Sequence, residues 1–351
     1  MKSLLLCFIL FFSVLLQNAL AGQVNSFIYH RFDEDRYPST NISSAVFKQQ
    51  LDYIQEHDIK VLALPEIVDR LHSGKALPKR ATALSVDDAY RSFYAVAMPL
   101  LRQYQYPVTL FVNTDAVGRR GYLGWAELRE LVDQGVEIGN HTASHAYLVE
   151  MAAGESIEQW RQRLRADITR AQQALQQNLG IKATLFAYPY GEYSQEVVAL
   201  IEEMGFTAAF AQQSGVIYSG HNLYSLPRFP MGGPFASFSG FVKKLEMDPL
   251  IVTEVKPFDP VIRTTSPPQL ELTLGEVSAP AAVINCFVQG DNRCWVKKQP
   301  ERGPNHYLVS AEQPLEGRRN KYTLTFQGKD GAWQWYSHLW INAEHPVSDQ
   351  Q

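Results

Sequence analysis

Two aspartates, Asp87 and Asp88, stand side by side immediately after the apolar run Ala83-Leu84-Ser85-Val86, and two histidines four residues apart, His141 and His145, follow downstream. Two imidazoles and one carboxylate with coordination positions left open are the donor set that holds hydrolytic zinc. Such an ion lowers the pKa of its water to about 7 and polarises a carbonyl oxygen. The doubled carboxylate then has a reason, because neighbouring anions repel unless a cation lies beside them. Asp88 is expected to ligate the ion with His141 and His145, while Asp87 takes a proton from the attacking water. If the chain turns helical after His141, a spacing of four puts both rings on one face. The competing reading of the aspartate pair is a turn capping a helix that begins near Ser92.

These groups need strands to carry them. From Phe27 to Phe210 the segments SFIYHRF, KVLAL, ATALSV, PVTLFVN, GVEIGN, ATLFAY and FTAAFA read as strands. Helical periods separate them: Ser44 to Glu56, capped by Asn41 or Ser43; a stretch from Trp125 to the Gly135 stop; Ser156 to Leu179, ending at Gly180; and Ser194 to Met204, ending at Gly205. Such alternation predicts parallel strands joined by right-handed crossovers, an α/β fold of the β/α-barrel or wound-sheet kind. In those folds the chemistry lies at the C-terminal ends of the strands. Asp87 and Asp88, His141, Tyr188-Pro189-Tyr190 and His30 each follow a strand segment, so four strands deliver polar groups to one rim.

Beyond Pro257 a proline-rich connector, KPFDPVIRTTSPPQ, leads into short strand segments separated by Gly, Asn and Asp turns. A small β-sandwich is expected there. Core packing is the default account of Trp333, Trp335 and Trp340, with a sugar-stacking face as the alternative.

A net charge of -4 gives no basic excess for a phosphate backbone, which argues against a nucleic-acid partner and fits a neutral or cationic substrate. The opening MKSLLLCFILFFSVLLQNALAG has the layout of a secretory signal, with residues 1–21 removed and no transmembrane span in the mature chain. The mature protein is expected to be periplasmic or extracellular. Cys7 leaves with the signal, and Cys286 and Cys294 are expected to pair as a disulfide; two thiols on a metal are the competing idea.

SVDDAY, HTASH and FAYPYG together resemble the first three motifs of the carbohydrate esterase family 4 polysaccharide deacetylases, and YHRFDEDRYPSTN resembles the start of the exported branch related to poly-N-acetylglucosamine deacetylases. The resemblance spans about Phe27 to Met231. It implies an irregular (β/α)7 barrel, taken here as residues 22–256; the β-rich domain at 257–351, read from its strand segments, lies beyond the resemblance. The resemblance also implies a hydrolase that removes N-acetyl groups from an N-acetylglucosamine polysaccharide with a divalent metal, usually zinc. Asp87 would be the general base, Asp88, His141 and His145 the metal ligands, and Tyr188, Pro189 and Tyr190 a groove wall, with the Tyr190 backbone N–H holding the oxyanion. Two departures stand out. Ala187 occupies the place of an Arg that orients the base in many members, a role open to Arg228, which is otherwise expected among the substrate-binding groups. The late Leu-x-His motif is missing, so the general acid is expected from His30, with His221 in reserve. These departures keep two alternatives open: an inactive carbohydrate-binding scaffold, and an O-acetyl polysaccharide esterase.

Overall fold

The computed structural model describes residues 22–263, 266–275, 284–288, 290, 292–328 and 331–345. The signal-like segment 1–21, with Cys7, lies outside them.

Six parallel strands lie side by side in chain order: Gln23–Tyr29, Ala81–Asp87, Thr109–Val112, Glu137–Asn140, Leu185–Ala187 and Ala208–Phe210. Lys60–Val61 adds in parallel to Ala81–Asp87, so every segment read as a strand in this part contains one. The two longest strands are buried at every position because helices cover the outside of the sheet while side chains fill its concave interior. Parallel strands of this kind can afford near-continuous apolar sequence.

The sheet is curled into a half barrel. Ile217–Tyr218 pairs antiparallel with the start of the first strand. A short return segment then crosses from one edge of the sheet towards the other: Leu226 bridges Phe210, and Phe229–Pro230 pairs with Phe27–Ile28. Arg228 sits in the middle of this crossing.

The four expected helices form within a residue or so of their expected ends. Ser44–Glu56 starts after Ser43, whose hydroxyl accepts from the Val46 N–H. Ile157–Leu179 starts on a Ser156/Gln159 capping box and stops at Gly180, in the left-handed region at φ 72°. Trp125–Asp133 and Gln195–Glu203 complete the set. Three shorter helices were not anticipated: Leu64–His72, Met98–Tyr104 and Phe238–Leu245. Each has at most nine residues, too few turns for an apolar stripe to stand out in the sequence. Near Ser92 the chain enters a π-helical turn, Phe93–Ala97, with no side-chain cap, so the aspartate pair does not serve as one.

The C-terminal region forms two further sheets. One runs Val252–Lys256, Gln269–Leu274, His306–Ala311, Cys294–Lys298, antiparallel throughout. The other centres on the Arg319–Gln327 and Trp333–Asn342 hairpin, with Asn285–Phe287 at one edge. Leu270, Leu272 and Val309 of the first share a buried cluster with Tyr322, Leu324 and Trp340 of the second. Cys286 and Cys294 are bonded, joining one sheet to the other. Val252–Lys256 precedes the proline-rich connector yet belongs to these sheets by pairing. Trp340 is core, Trp335 packs on Phe229, and Trp333 is exposed.

Candidate metal centre and catalytic rim

Asp88 follows its strand in the left-handed region at φ 76°, its N–H held by the Phe111 carbonyl of the neighbouring strand. That turn separates the two aspartates: Asp87, still in the strand, points into the barrel, and Asp88 points towards the histidines. The segment after His141 is not helical, which corrects the expectation of a shared helix face. A turn does the work instead. Thr142 and His145 both take positive φ, at 63° and 58°, a strain of about 1 kcal/mol or more each. Side chains hold it: Asn140 Oδ1 accepts from the Thr142 N–H, Thr142 Oγ1 from the His145 N–H, and Asp167 from Ser144.

The result brings His141 Nε2 within 3.5 Å and His145 Nε2 within 3.1 Å of Asp88 Oδ1, with the two nitrogens 3.2 Å apart. Ligands about 2.05 Å from a tetrahedral ion lie about 3.3 Å from each other, so these three separations suit three corners of a zinc site. They form a group of ligand atoms able to hold a metal ion. His141 Nδ1 donates to the Ala187 carbonyl at 2.8 Å, which fixes the tautomer and turns the Nε2 lone pair towards the shared point. Asp88 Oδ1 is buried and has no hydrogen-bond donor of its own among the described residues.

Asp87 is fully buried. Arg228 meets it in a two-pronged ion pair, Nη1 to Oδ1 at 2.8 Å and Nη2 to Oδ2 at 2.9 Å, and also donates to Ser85 Oγ and the Ala211 carbonyl. Burial pushes the Asp87 carboxyl up, but the Arg228 and His141 charges together outweigh it and hold it below the usual carboxylate range. It is therefore a carboxylate at neutral pH, with Oδ2 3.9 Å from His141 Nε2. Arg228 is itself wholly buried, so its partner is Asp87 rather than a ligand in solvent.

His30 belongs to the same group. Burial lowers its pKa while the charges of Asp88 and Asp87 raise it and those of Arg228 and His141 lower it, leaving a net fall from the ordinary value. His221 lies elsewhere: its Nδ1 accepts from the Tyr218 N–H and its ring packs on Tyr218.

The tyrosines divide. Tyr188 is in the core, its hydroxyl donating to the Tyr224 carbonyl, so it offers no face to a ligand, and Pro189 is buried beside it. Tyr190, at φ 59°, is partly exposed, set 4.5 Å from the His145 ring and stacked on Tyr147 at 3.8 Å. Asp88 also borders a cleft of about 270 Å³ lined by Tyr90, Asn113, Asp115, Arg119, Tyr122 and His145. Tyr90 is backed by Arg31, whose guanidinium lies 3.4 Å from its ring centre and 3.8 Å from that of Tyr37. Tyr147, Tyr122, Asn113 and Arg31 were not singled out in the sequence; only the turns that gather them reveal them.

Residues 74–209 match the family described as polysaccharide deacetylase. A poly-beta-1,6-N-acetyl-D-glucosamine N-deacetylase of Staphylococcus aureus (strain MRSA252) is 26% identical over 214 residues, 59% of this chain and 73% of that protein. The protein of the same name from Escherichia coli (strain K12) is 24% identical over 223 residues, covering 54% of this chain and 33% of that protein, so the chain spans only a third of this longer relative. Among solved structures, the Streptococcus pyogenes deacetylase PplD in complex with acetate superposes with a TM-score of 0.57 at 20% identity, over 64% of this chain and 99% of that one. IcaB from Ammonifex degensii gives 0.55 at 24% identity, over 64% and 97%. These likenesses are those of fold, and they leave more than a third of this chain uncovered.

Proposed function

This chain carries a polysaccharide deacetylase domain, and from that premise we propose that it is an exported, zinc-dependent hydrolase that removes N-acetyl groups from an N-acetylglucosamine-containing polysaccharide. The observation that carries the reading is the pairing of two distinct carboxylates with distinct partners: Asp88 with the two imidazoles, and Asp87 with Arg228. When bound, the divalent ion acidifies a water and polarises the acetyl carbonyl. Asp87 accepts the proton of the attacking water, with Arg228 fixing both of its oxygens and keeping it ionised. The missing family Arg at Ala187 is thereby replaced from a different segment. His30, uncharged at rest because its pKa lies below the ordinary value, is assigned to pass on to the departing nitrogen the proton that Asp87 takes from the attacking water. The Tyr190 backbone N–H is assigned to the carbonyl oxygen as its charge develops. Tyr190 with Tyr147 forms one wall of the sugar groove, and the Tyr90–Tyr122 cleft the other.

We further read the curled sheet with its return segment as an irregular (β/α)7 barrel, and the two C-terminal sheets as a small β-sandwich. The catalytic domain is assigned to 22–256 and the β-rich domain to 257–351, with Val252–Lys256 paired into the latter. Residues 1–21 are assigned as an export signal, and among the described residues no helix is long and apolar enough to cross a membrane. Acetate release from N-acetylglucosamine oligomers, measured beside acetylated xylan, tests the activity. Release from the former alone supports the amide hydrolase; release from xylan alone makes it an O-acetyl esterase; none from either leaves the scaffold reading.

A further inference from the structure

The C-terminal sheets reach the catalytic rim. Glu192, two residues after Tyr190, is fully buried, and its carboxylate is met by Arg318 at 2.8 and 2.7 Å in a fork geometry. Arg318 also pairs with Glu150 at 2.8 Å and stands 4.5 Å over the Tyr147 ring. Its neighbour Arg319 donates to the Tyr190 carbonyl at 3.0 Å and lies 3.8 Å from the Glu192 carboxylate. Two adjacent arginines thus tie together the loop that carries His145, Tyr147 and Glu150 and the loop that carries Tyr190 and Glu192.

We propose that Arg318 and Arg319 are positioning residues of the active site: the C-terminal domain works as a clamp that holds the Tyr147–Tyr190 wall against the metal ligand His145, in contact with the bound polysaccharide's path. A buried carboxylate such as Glu192 needs a cation, and the cations in contact with it come from this domain. An independent carbohydrate-binding appendage would leave the barrel's own loops complete without it. Tyr190 holds a left-handed backbone at φ 59°, a conformation that persists only where surroundings impose it, and the Arg319 contact falls on that residue's own carbonyl. The clamp rests on the deacetylase reading for its substrate, but not for its existence.

The test uses the zinc-loaded full chain. Arg319→Ala removes the carbonyl contact and leaves the Arg318–Glu192 pair in place. Amide exchange over residues 141–150 and 188–192 should quicken about tenfold. KM for short N-acetylglucosamine oligomers should rise about fivefold, and kcat should fall about threefold or more as well, because the loosened loop carries the Tyr190 N–H assigned to the carbonyl oxygen. Arg319→Lys keeps one donor and should restore both, whereas Arg318→Lys loses the fork and should not restore wild-type behaviour. The paired change Arg318→Met with Glu192→Gln removes both buried charges together and should reproduce the Arg319→Ala result should Arg318→Met alone fail to fold. Exchange and KM both unchanged in Arg319→Ala and in the paired variant overturn the proposal, as does faster exchange with KM unmoved. Absence of acetate release from the wild type defeats the deacetylase reading, and the exchange rates still decide the clamp.

Discussion

Asp87 and Asp88 are neighbours in sequence with separate tasks, and the division rests on one left-handed turn at Asp88 and one arginine. Asp87→Asn keeps the volume and some of the hydrogen bonds to Arg228, and it replaces none of the three residues assigned to hold the metal. Turnover should fall by about a thousandfold, since a general base contributes roughly that much, while the zinc content stays at one per chain. Steady-state acetate release with elemental zinc assay checks this; full activity in Asp87→Asn removes its role as base. The ligand trio was legible because Asp88 and His141 each follow a strand segment and His145 stands four residues beyond His141. The Asp87–Arg228 pair was legible as a vacancy at Ala187 with Arg228 as one candidate to fill it, while Arg228 was also expected among the substrate-binding groups. Arg228 meets Asp87 from 141 positions along the chain, on a return segment whose path across the barrel no local pattern announces.

At the scale of elements, periodicity found the longer helices and the seven parallel strands up to Phe210, because burial on both faces writes itself into apolar runs, but it missed the two-residue strands Ile217–Tyr218 and Phe229–Pro230 that complete the sheet. It failed at the His141–His145 turn. A spacing of four suggested a helix, whereas Asn140, Thr142 and Asp167 side chains supply the hydrogen bonds that a helix would have made. A related backbone constraint lies at Gly191, which ends the Pro189–Gly191 turn at φ 72°; a Cβ there would meet the Gln212 backbone nitrogen at 2.6 Å. Gly191→Ala should therefore cost about 2 kcal/mol or more, the left-handed penalty plus the clash. Urea denaturation reads the loss, and a variant as stable as wild type contradicts the account of this turn.

Across the whole molecule, the seam between the barrel and the C-terminal sheets holds a cavity of about 260 Å³ lined in part by His338, Gln213 and Tyr218. Burial pushes the His338 imidazole down to about 3 from an ordinary value of 6.5. The unfolded chain binds a proton there near 6.5 and the folded chain does not until about 3, so between these values the unfolded state holds more protons. His338 thus contributes no pH dependence above 6.5, and stability falls as the pH drops below it, by up to about 1.4 kcal/mol per pH unit. His338→Gln should flatten the stability profile between pH 6.5 and 5 by that slope. Equal slopes for the two proteins in urea titrations would exclude His338 as their source. The seam was invisible in the sequence, which marked a connector but not the pairing of Val252–Lys256 across it or the arginines that return to the rim.

The central claim is that side chains from separate strands gather one divalent ion that the chemistry requires. Acetate release from N-acetylglucosamine oligomers should disappear when the purified chain is stripped with a chelator, return on adding one equivalent of zinc, and fail to return in Asp88→Asn. Undiminished release from protein shown by elemental assay to be free of divalent metal contradicts it.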